Sequence, residues 1–212
     1  FVCALLVLHA AERKESMQQI TWSILPLRAP RIARHCPKCG QSEYENSGCF
    51  RVNANGCRLD VWLIYKCVSC RSTLNLTVLT RVNPRTMSRD QLCRFTDNDA
   101  ELALSLGLDS EFLARNHVTS IPESIEYDLS GELPVPGVPT LIHVRCDTPV
   151  KIRALRAISE KLGLSQSALR KMADIGLIQS DMELKKLSFA RAFSFTITMP
   201  DRKQHTIAEY MA

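Results

Sequence analysis

Residues 36–40 carry the sequence Cys-Pro-Lys-Cys-Gly, and residues 67–70 carry Cys-Val-Ser-Cys. Two residues between paired cysteines let a tight turn direct both thiolates at one ion, and Gly40 supplies the positive φ that such a turn often needs. Two such turns provide four thiolates, the closed tetrahedral shell of a structural Zn²⁺ that folds a domain rather than performing chemistry. The predicted zinc ligands are Cys36, Cys39, Cys67 and Cys70.

The sequence leaves other interpretations of these cysteines open. They include four unrelated thiols, a thioredoxin-like redox pair, and a site in which His35 replaces one cysteine. A redox pair needs a single Cys-x-x-Cys at the junction of a strand and a helix. Here two pairs flank a 27-residue insert that is typical of β structure, and this favours the metal site.

The insert predicts a hairpin. Its arms are residues 48–52 and residues 58–66, the second rich in Val, Trp, Leu, Ile and Tyr, and residues 53–56 (Asn-Ala-Asn-Gly) form a strong turn signal between them. Residues 73–82 predict a further strand after the second cysteine pair. Two cysteine pairs that carry antiparallel strands make a zinc ribbon, which we expect within residues 17–86.

Cys49 and Cys57 lie on this hairpin, so a disulfide between them has to be considered. A two-residue turn at residues 55–56 places Ala54 opposite Cys57, whereas a four-residue loop places Val52 there. In both registers the two thiols lie on opposite faces of the hairpin. Both cysteines are therefore predicted to be free.

Composition excludes a disordered chain and a chain with membrane-spanning helices, and the distribution of charge indicates a class of partner. The chain is 45% hydrophobic and 23% charged, typical of a folded protein, and no apolar run reaches the roughly 18–20 residues needed to cross a bilayer. Residues 17–86 hold ten Lys and Arg against three Asp and Glu, residues 87–148 hold four against eleven, and residues 149–191 hold nine against four. Two basic blocks thus flank an acidic one, and basic blocks favour phosphate backbones as partners.

The two ends are set apart from the predicted fold. The chain begins with Phe1, and residues 1–16 are an apolar run followed by charged residues. They are either the end of a secretory signal or translated sequence upstream of a start at Met17, and the second is favoured because the remainder is typical of a cytoplasmic protein. Residues 200–212 are expected to be a loosely held tail.

The acidic middle, residues 87–139, is predicted to be mainly helical. Helices are expected over residues 88–95, 97–106 and 109–116, with the second ended by Gly107. Strands are expected over residues 125–129 and 140–146, separated by a Pro- and Gly-rich linker that marks the best boundary in the chain. No Gly-rich phosphate loop, G-x-S-x-G or H-E-x-x-H motif is present.

Residues 140–199 predict a compact basic module. A helix over residues 150–162 ends at Gly163, Ser165 caps a second helix over residues 166–175, Gly176 ends that helix, and a final strand covers residues 189–199. Its candidate contacts to nucleic acid are Arg153, Arg156, Lys161, Arg170 and Lys171. A helix-turn-helix with its second helix in a DNA major groove also fits the two helices.

The N-terminal residues resemble the bacterial domain-of-unknown-function family 1062. The resemblance is most specific over residues 29–39, residues 50–56 (Phe-Arg-Val-Asn-Ala-Asn-Gly) and residues 59–67 (Leu-Asp-Val-Trp-Leu-Ile-Tyr-Lys-Cys), and it extends over about residues 17–199. It implies a small bacterial cytoplasmic protein and no particular activity. Cys49 and Cys57 depart from the Lys expected at these positions.

The C-terminal residues separately resemble the alpha-L RNA-binding motif of a ribosomal protein and of pseudouridine synthases. Arg153 matches its first Arg, Ser165 and Ser167 match its serines, and Gly176 matches its Gly, whereas Gln166 and Leu155 replace the usual Arg and Asp. The resemblance implies a small α/β module that contacts RNA. The predicted α+β protein thus joins an N-terminal zinc ribbon, a helical middle segment and an alpha-L-like module.

The function predicted from these features is that of a non-enzymatic protein associated with structured RNA or the ribosome, with no membrane and no small-molecule partner. Its charged side chains would give a salt-dependent affinity with little sequence preference. Two alternatives stay open: a protein-interaction scaffold without nucleic acid, and a DNA-binding regulator of helix-turn-helix type. An enzyme is least favoured, because a Cys₄ metal shell leaves no position for water or substrate.

Overall fold

The computed structural model describes residues 17–183 and 186–200. In this part of the chain, two five-stranded sheets and five α-helices form a mixed α+β protein, which confirms the predicted class. The strands are β1 (Gln18–Arg28), β2 (Arg31–Ala33), β3 (Glu43–Asn55), β4 (Arg58–Cys67), β5 (Thr73–Val82), β6 (Thr119–Ile121), β7 (Glu126–Ser130), β8 (Thr140–Cys146), β9 (Ile178–Gln179) and β10 (Phe193–Ile197). The helices are α1 (Arg89–Thr96), α2 (Ala100–Leu108), α3 (Ser110–Arg115), α4 (Ala154–Leu162) and α5 (Gln166–Asp174).

The first sheet has the strand order β7-β1-β8-β10-β9. β1 and β8 are parallel, from Gln18 opposite Thr140 to Ile24 opposite Cys146, and the other neighbours are antiparallel. Residues of β1 alternate between buried and exposed, so Trp22 enters the core with no exposed surface and its indole N–H donates to the Glu132 carbonyl at 2.7 Å. Helices α4 and α5 cover this core.

Strand pairing joins segments that the sequence analysis assigns to different domains. β1 lies within the expected unit 17–86, yet it pairs with β7 and β8, which follow it by more than 90 residues. The alternation of Ile20, Trp22 and Ile24 is the signal that marks β1 as a strand facing an apolar core. Its partner strand is far away in sequence, and local patterns do not reveal such pairing.

The second sheet has the order β5-β4-β3-β2-β6 and carries both cysteine pairs. Alternate residues of β4, among them Leu63 and Tyr65, are buried against helices α1–α3, which cover one face of the sheet. β4 and β5 begin where the sequence predicts, whereas β3 starts at Glu43, five residues earlier than the expected arm.

The hairpin turn differs from both expected registers. Asn55 pairs with Arg58, so the two-residue turn consists of Gly56, at φ +59°, and Cys57 itself. Glycine reaches this conformation without a steric penalty. Placing Gly56 at the first turn position moves the register by one residue relative to a turn centred on residues 55–56.

Polar caps begin the three middle helices; α1 and α3 start within one residue of the prediction, whereas α2 starts at Ala100 rather than at residue 97. Ser88, Asp99 and Asp109 each accept a hydrogen bond from a backbone N–H in the first turn of the following helix. Gly107 does not end α2 as expected but lies inside it. A Cβ at this position would lie 2.5 Å from Ala29 Cβ, so this glycine allows α2 to pack closely against the chain that joins β1 to β2.

The C-terminal elements are shorter than predicted. Helix α4 begins at Ala154 rather than at residue 150, because the Val150 N–H donates to the Phe189 carbonyl and the Phe189 N–H donates to the Ile152 carbonyl in an extended pairing. Gly163 ends α4 at φ +65° and Ser165 caps α5, as predicted. None of the helices in the described ranges is both long and apolar enough to cross a membrane.

Candidate metal centre

The first cysteine pair lies in a tight turn between β2 and β3. The Cys36 N–H donates to the Gln41 carbonyl at 2.7 Å, and the Gly40 N–H donates to the Cys36 carbonyl at 2.9 Å. Gly40 has φ +77°, the left-handed conformation expected from the sequence. These bonds close the turn, so that the side chains of Cys36 and Cys39 project from the same loop.

The second pair repeats this geometry between β4 and β5. The Cys67 N–H donates to the Ser72 carbonyl at 2.9 Å, and the Arg71 N–H donates to the Cys67 carbonyl at 3.1 Å. Arg71 occupies the position equivalent to Gly40 and adopts φ +61°. A non-glycine residue in the left-handed region is uncommon and carries strain, so the surrounding structure holds this turn in shape.

The two turns meet because Tyr44 at the start of β3 pairs with Cys67 at the end of β4. The four Sγ atoms all lie within 4.8 Å of one another. Cys36 Sγ lies 3.7 Å from Cys70 Sγ, and Cys39 Sγ lies 3.6 Å from Cys67 Sγ.

These separations fit one tetrahedral ion. A zinc–thiolate bond of about 2.3 Å places the corners of a tetrahedron about 3.8 Å apart. Four sulfurs at this spacing, in turns that are closed by backbone hydrogen bonds, can hold a metal ion. Such an ion would link both hairpins and have no open position for water or substrate.

Ser72 makes polar contacts to two of the sulfurs. Its Oγ lies 3.1 Å from Cys36 Sγ and 3.2 Å from Cys70 Sγ. The hydrogen bond to Ser72, followed by that to Tyr44, lowers the pKa of Cys36 to about 5, and Ser72 is also the main cause of the lowered pKa of Cys70. Ser72 therefore favours the thiolate form that a metal ion requires.

Cys39 shows the opposite effect. The backbone hydrogen bond at Gln41 lowers the pKa of this thiol, but burial and the neighbouring thiols of Cys70, Cys67 and Cys36 together raise it to about 11. Four thiolates at this spacing repel one another, so without a cation at least one retains its proton. Metal binding would release that proton.

The other candidate ligand and the other cysteines lie outside this cluster. His35 is exposed and does not belong to the group of ligand atoms, which consists of the four cysteines alone in the described residues. Cys49 and Cys57 are exposed and free, as predicted. Ser72 and Tyr44 are the residues of the site that the sequence analysis missed. For Ser72, the only sequence signal is a hydroxyl two positions after a ligand cysteine.

The candidate contacts to nucleic acid lie on or beside α4 and α5. Arg153 precedes the first turn of α4, Lys161 lies in its last turn, and Arg170 and Lys171 lie on α5. Arg153, Arg170 and Lys171 are exposed and Lys161 is half-buried.

Arg156 has structural partners. Its Nε donates to Glu160 Oε1 at 2.9 Å, and its Nη1 donates to the Glu123 carbonyl at 3.1 Å. Glu160 also accepts a hydrogen bond from the Tyr127 hydroxyl. Arg156 thus ties α4 to the turn before β7, and Glu160 ties α4 to β7 itself. The guanidinium of Arg156 is therefore already engaged within the protein.

The fold and the site define a mixed α+β protein with a four-cysteine cluster. The family model described as "Protein of unknown function (DUF1062)" matches residues 52–184, more than half of the chain. The chain belongs to this family. The matched range contains Cys67 and Cys70 but begins after Cys36 and Cys39. A search of curated proteins found no match, and a search of solved structures found none.

Proposed function

We propose that this protein is a non-enzymatic, zinc-stabilised RNA-binding protein whose partner is structured RNA, such as that of the ribosome. The observation that carries the proposal is the exposure of three cationic side chains: Arg153 at the N-cap of α4, and Arg170 and Lys171 on α5. The inner face of this helix pair is fixed in an apolar core. A rigid element that presents cations to solvent suits a partner with a phosphate backbone.

We assign Zn²⁺ to the four-cysteine cluster. Four thiolates at tetrahedral spacing are typical of zinc or of iron–sulfur chemistry. The two turns lie in neighbouring antiparallel hairpins, β2–β3 and β4–β5, and this arrangement supports the proposal of a zinc ribbon. Zinc would supply folding free energy here rather than a reaction.

The order of elements supports an alpha-L type for the C-terminal module. Helix α4, the left-handed Gly163, helix α5, the left-handed Gly176 and the short strand β9 follow one another along the chain. Leu169 and Met172 of α5 are buried in the apolar core, so the polar side of the helix faces outward. The proposed RNA contacts are Arg153, Lys161, Arg170 and Lys171, and Arg156 holds α4 in position.

The proposal is tested by electrophoretic mobility shift with the full-length, zinc-loaded protein. A structured hairpin RNA and a mixed-sequence duplex DNA are the probes, each over a series of salt concentrations. We expect the RNA to shift at low salt, and we expect Arg153→Ala combined with Lys171→Ala to weaken binding and to reduce the salt slope by about one to two. Arg89→Ala combined with Arg115→Ala removes the same charge from exposed positions in the acidic middle and should leave binding unchanged.

Three results would overturn the proposal. The absence of any shift at low salt would favour a protein-interaction scaffold. Discrimination between DNA sequences that persists near physiological salt would favour a helix-turn-helix regulator. Equal losses in the two double variants would show that binding follows net charge rather than the α4–α5 surface.

A further inference from the structure

The second sheet has one face that no helix covers in the described part of the chain. In β4, residues such as Leu63 and Tyr65 are buried against α1–α3, whereas the alternate residues Trp62 and Ile64 are half-buried on the opposite face. Successive side chains of a strand point to opposite faces. A tryptophan in the middle of a sheet usually packs under another element, so a partly exposed one in this position needs an explanation.

Cations surround this tryptophan. Arg51 of β3 is directly opposite Trp62, and Thr77 of β5 is opposite it on the other side. Arg58 and Lys66 lie four residues before and after Trp62 on the same face of β4. At roughly 3.4 Å per residue, each lies about 14 Å along the strand from Trp62. The face therefore has a central aromatic side chain with positive charge at both ends and beside it.

The acidic residues on this face already have partners. Glu43 pairs with Arg31 at 3.1 Å, and Glu45 pairs with Arg71. Asp60 Oδ1 accepts the Arg81 N–H at 2.8 Å but forms no ion pair within the described ranges. The three cations around Trp62, which are Arg51, Arg58 and Lys66, also form no ion pair there, and Arg58 Nη1 donates to the Arg81 carbonyl at 3.1 Å.

The second sheet and the helices that cover it also carry opposite net charges. Residues 31–82, which form most of the sheet and both cysteine turns, hold eight Lys and Arg against three Asp and Glu. Residues 88–116, which contain the three covering helices, hold three against six. A negatively charged polymer is therefore attracted toward the open face and away from the helices.

A groove adjoins this surface at Lys66. It has a volume of about 430 Å³, and Lys66 lines it together with Arg28, Arg31 and Arg71. Glu126 in the groove pairs with Arg28 at 3.4 Å. Arg31 and Arg71 pair with Glu43 and Glu45, so Lys66 is the one cation lining this groove that has no ion pair in the described residues.

We propose that the open face of the second sheet binds single-stranded RNA, with a base stacked on Trp62 and with phosphates near Arg51, Arg58 and Lys66. Unpaired bases expose the π face that stacks on an aromatic side chain, whereas bases within a duplex stack on each other. This extends the proposed function, on which it rests only in taking RNA as the partner, because neither Arg153 nor Lys171 takes part.

The test uses the zinc-loaded, full-length protein and a fluorescein-labelled 12-nucleotide oligouridylate, with binding followed by fluorescence anisotropy. We expect Trp62→Leu to weaken binding about tenfold or more, and Trp62→Phe to retain most of the affinity because it keeps an aromatic face. Arg51→Gln should weaken binding several-fold and reduce the salt slope by about 0.7, the value for one phosphate contact on a single strand. Arg115→Gln, on the helical side, is the charge-matched control and should have no effect.

Tryptophan fluorescence gives a second readout, independent of any loss of stability in the leucine variant. The chain contains two tryptophans, and Trp22 is fully buried. Unlabelled oligouridylate should therefore quench the emission of Trp62 alone, and this quenching should disappear in Trp62→Phe while anisotropy still reports binding.

The outcomes separate this proposal from the proposed function. If hairpin RNA binds through Arg153 and Lys171 but oligouridylate leaves Trp62 emission unchanged, the open-face proposal is wrong and the proposed function stands. If oligouridylate binds through Trp62 but hairpin RNA does not shift, the open-face proposal stands and the proposed function is wrong. Binding of oligodeoxythymidylate that is tighter than that of oligouridylate would overturn the assignment to RNA.

Discussion

The two sheets of this protein reach stability by different means. The first sheet and helices α4 and α5 enclose a large apolar core that includes Trp22, Phe189 and Phe195, none of them more than 1% exposed. The second sheet has smaller apolar clusters under its helices and the four-cysteine site at one end. Burial of apolar area stabilises the first sheet. We propose that the second sheet depends in addition on a metal ion that joins its two hairpins.

The largest expected effect comes from removing one ligand. Cys67→Ser should abolish metal binding and lower the melting temperature of the second sheet by about 10–20 °C, because the metal-binding free energy is also folding free energy. Calorimetry and zinc analysis of the purified variant measure this. Cys49→Ser and Cys57→Ser, at exposed thiols outside the cluster, are the matched controls and should change stability by less than about 0.5 kcal/mol. Equal effects at Cys67 and Cys49 would refute the ligand assignment.

A smaller effect is expected in the first sheet from Gly131→Ala. A Cβ here would lie 2.4 Å from Trp22 Cδ1 and 2.5 Å from the Thr21 carbonyl oxygen, at φ +120°. The clash and the backbone strain should cost about 3 kcal/mol, measured by urea unfolding, while zinc affinity stays unchanged. Gly137→Ala, at φ +76° with no atom within 4 Å, isolates the strain and should cost less. A loss of zinc in Gly131→Ala would show that the two sheets do not differ as described.

The smallest effect concerns the metal site and its dependence on pH. Ser72 is the main cause, followed by Tyr44, of the lowering of the pKa of Cys36 to about 5, so the stabilisation of the thiolate is complete above the ordinary thiol pKa and is lost as pH falls toward 5. Ser72→Ala should therefore weaken zinc affinity about tenfold at pH 7, and more at pH 6 than at pH 8. Competition with a chelator at the three pH values measures this. Ser69→Ala, at an exposed serine in the same turn, is the control, and a pH-independent loss in Ser72→Ala would contradict the proposed role.

The two sheets also differ in how well the sequence predicted them, and the second sheet contains most of the features that it predicted. The cysteine pairs, β4 and β5 follow from local rules: ligand spacing, the left-handed Gly40 and alternation of apolar residues. These features are decided within a few residues of each other, so the sequence analysis located them closely.

The first sheet depends on pairings between distant residues. β1 shows a clear alternation, but its parallel partner β8 lies more than 110 residues later. Residues 150–153 have helical spacing, yet hydrogen bonds with residues 187–189 hold them extended. Tertiary contacts override local propensity at such positions.

Within the second sheet, the hairpin turn and the surroundings of the metal ligands were also beyond local rules. Asn-Gly in residues 53–56 is a strong turn signal, but Gly56 occupies the first rather than the second turn position. Ser72 is distinguished only by its contact with two sulfurs, and Trp62 by the absence of a covering element on its face in the described residues. Both properties belong to the assembled sheet.

Hydrogen exchange by mass spectrometry, on the full-length protein before and after metal removal by a chelator, tests the central claim most directly. We predict that the amides of β3, β4 and β5 lose protection when the metal is removed, whereas those of β1, β8 and β10 keep it. Unchanged protection of β3–β5 in protein shown to be free of metal would contradict this account, because it would show that the apolar clusters stabilise the second sheet without a metal ion.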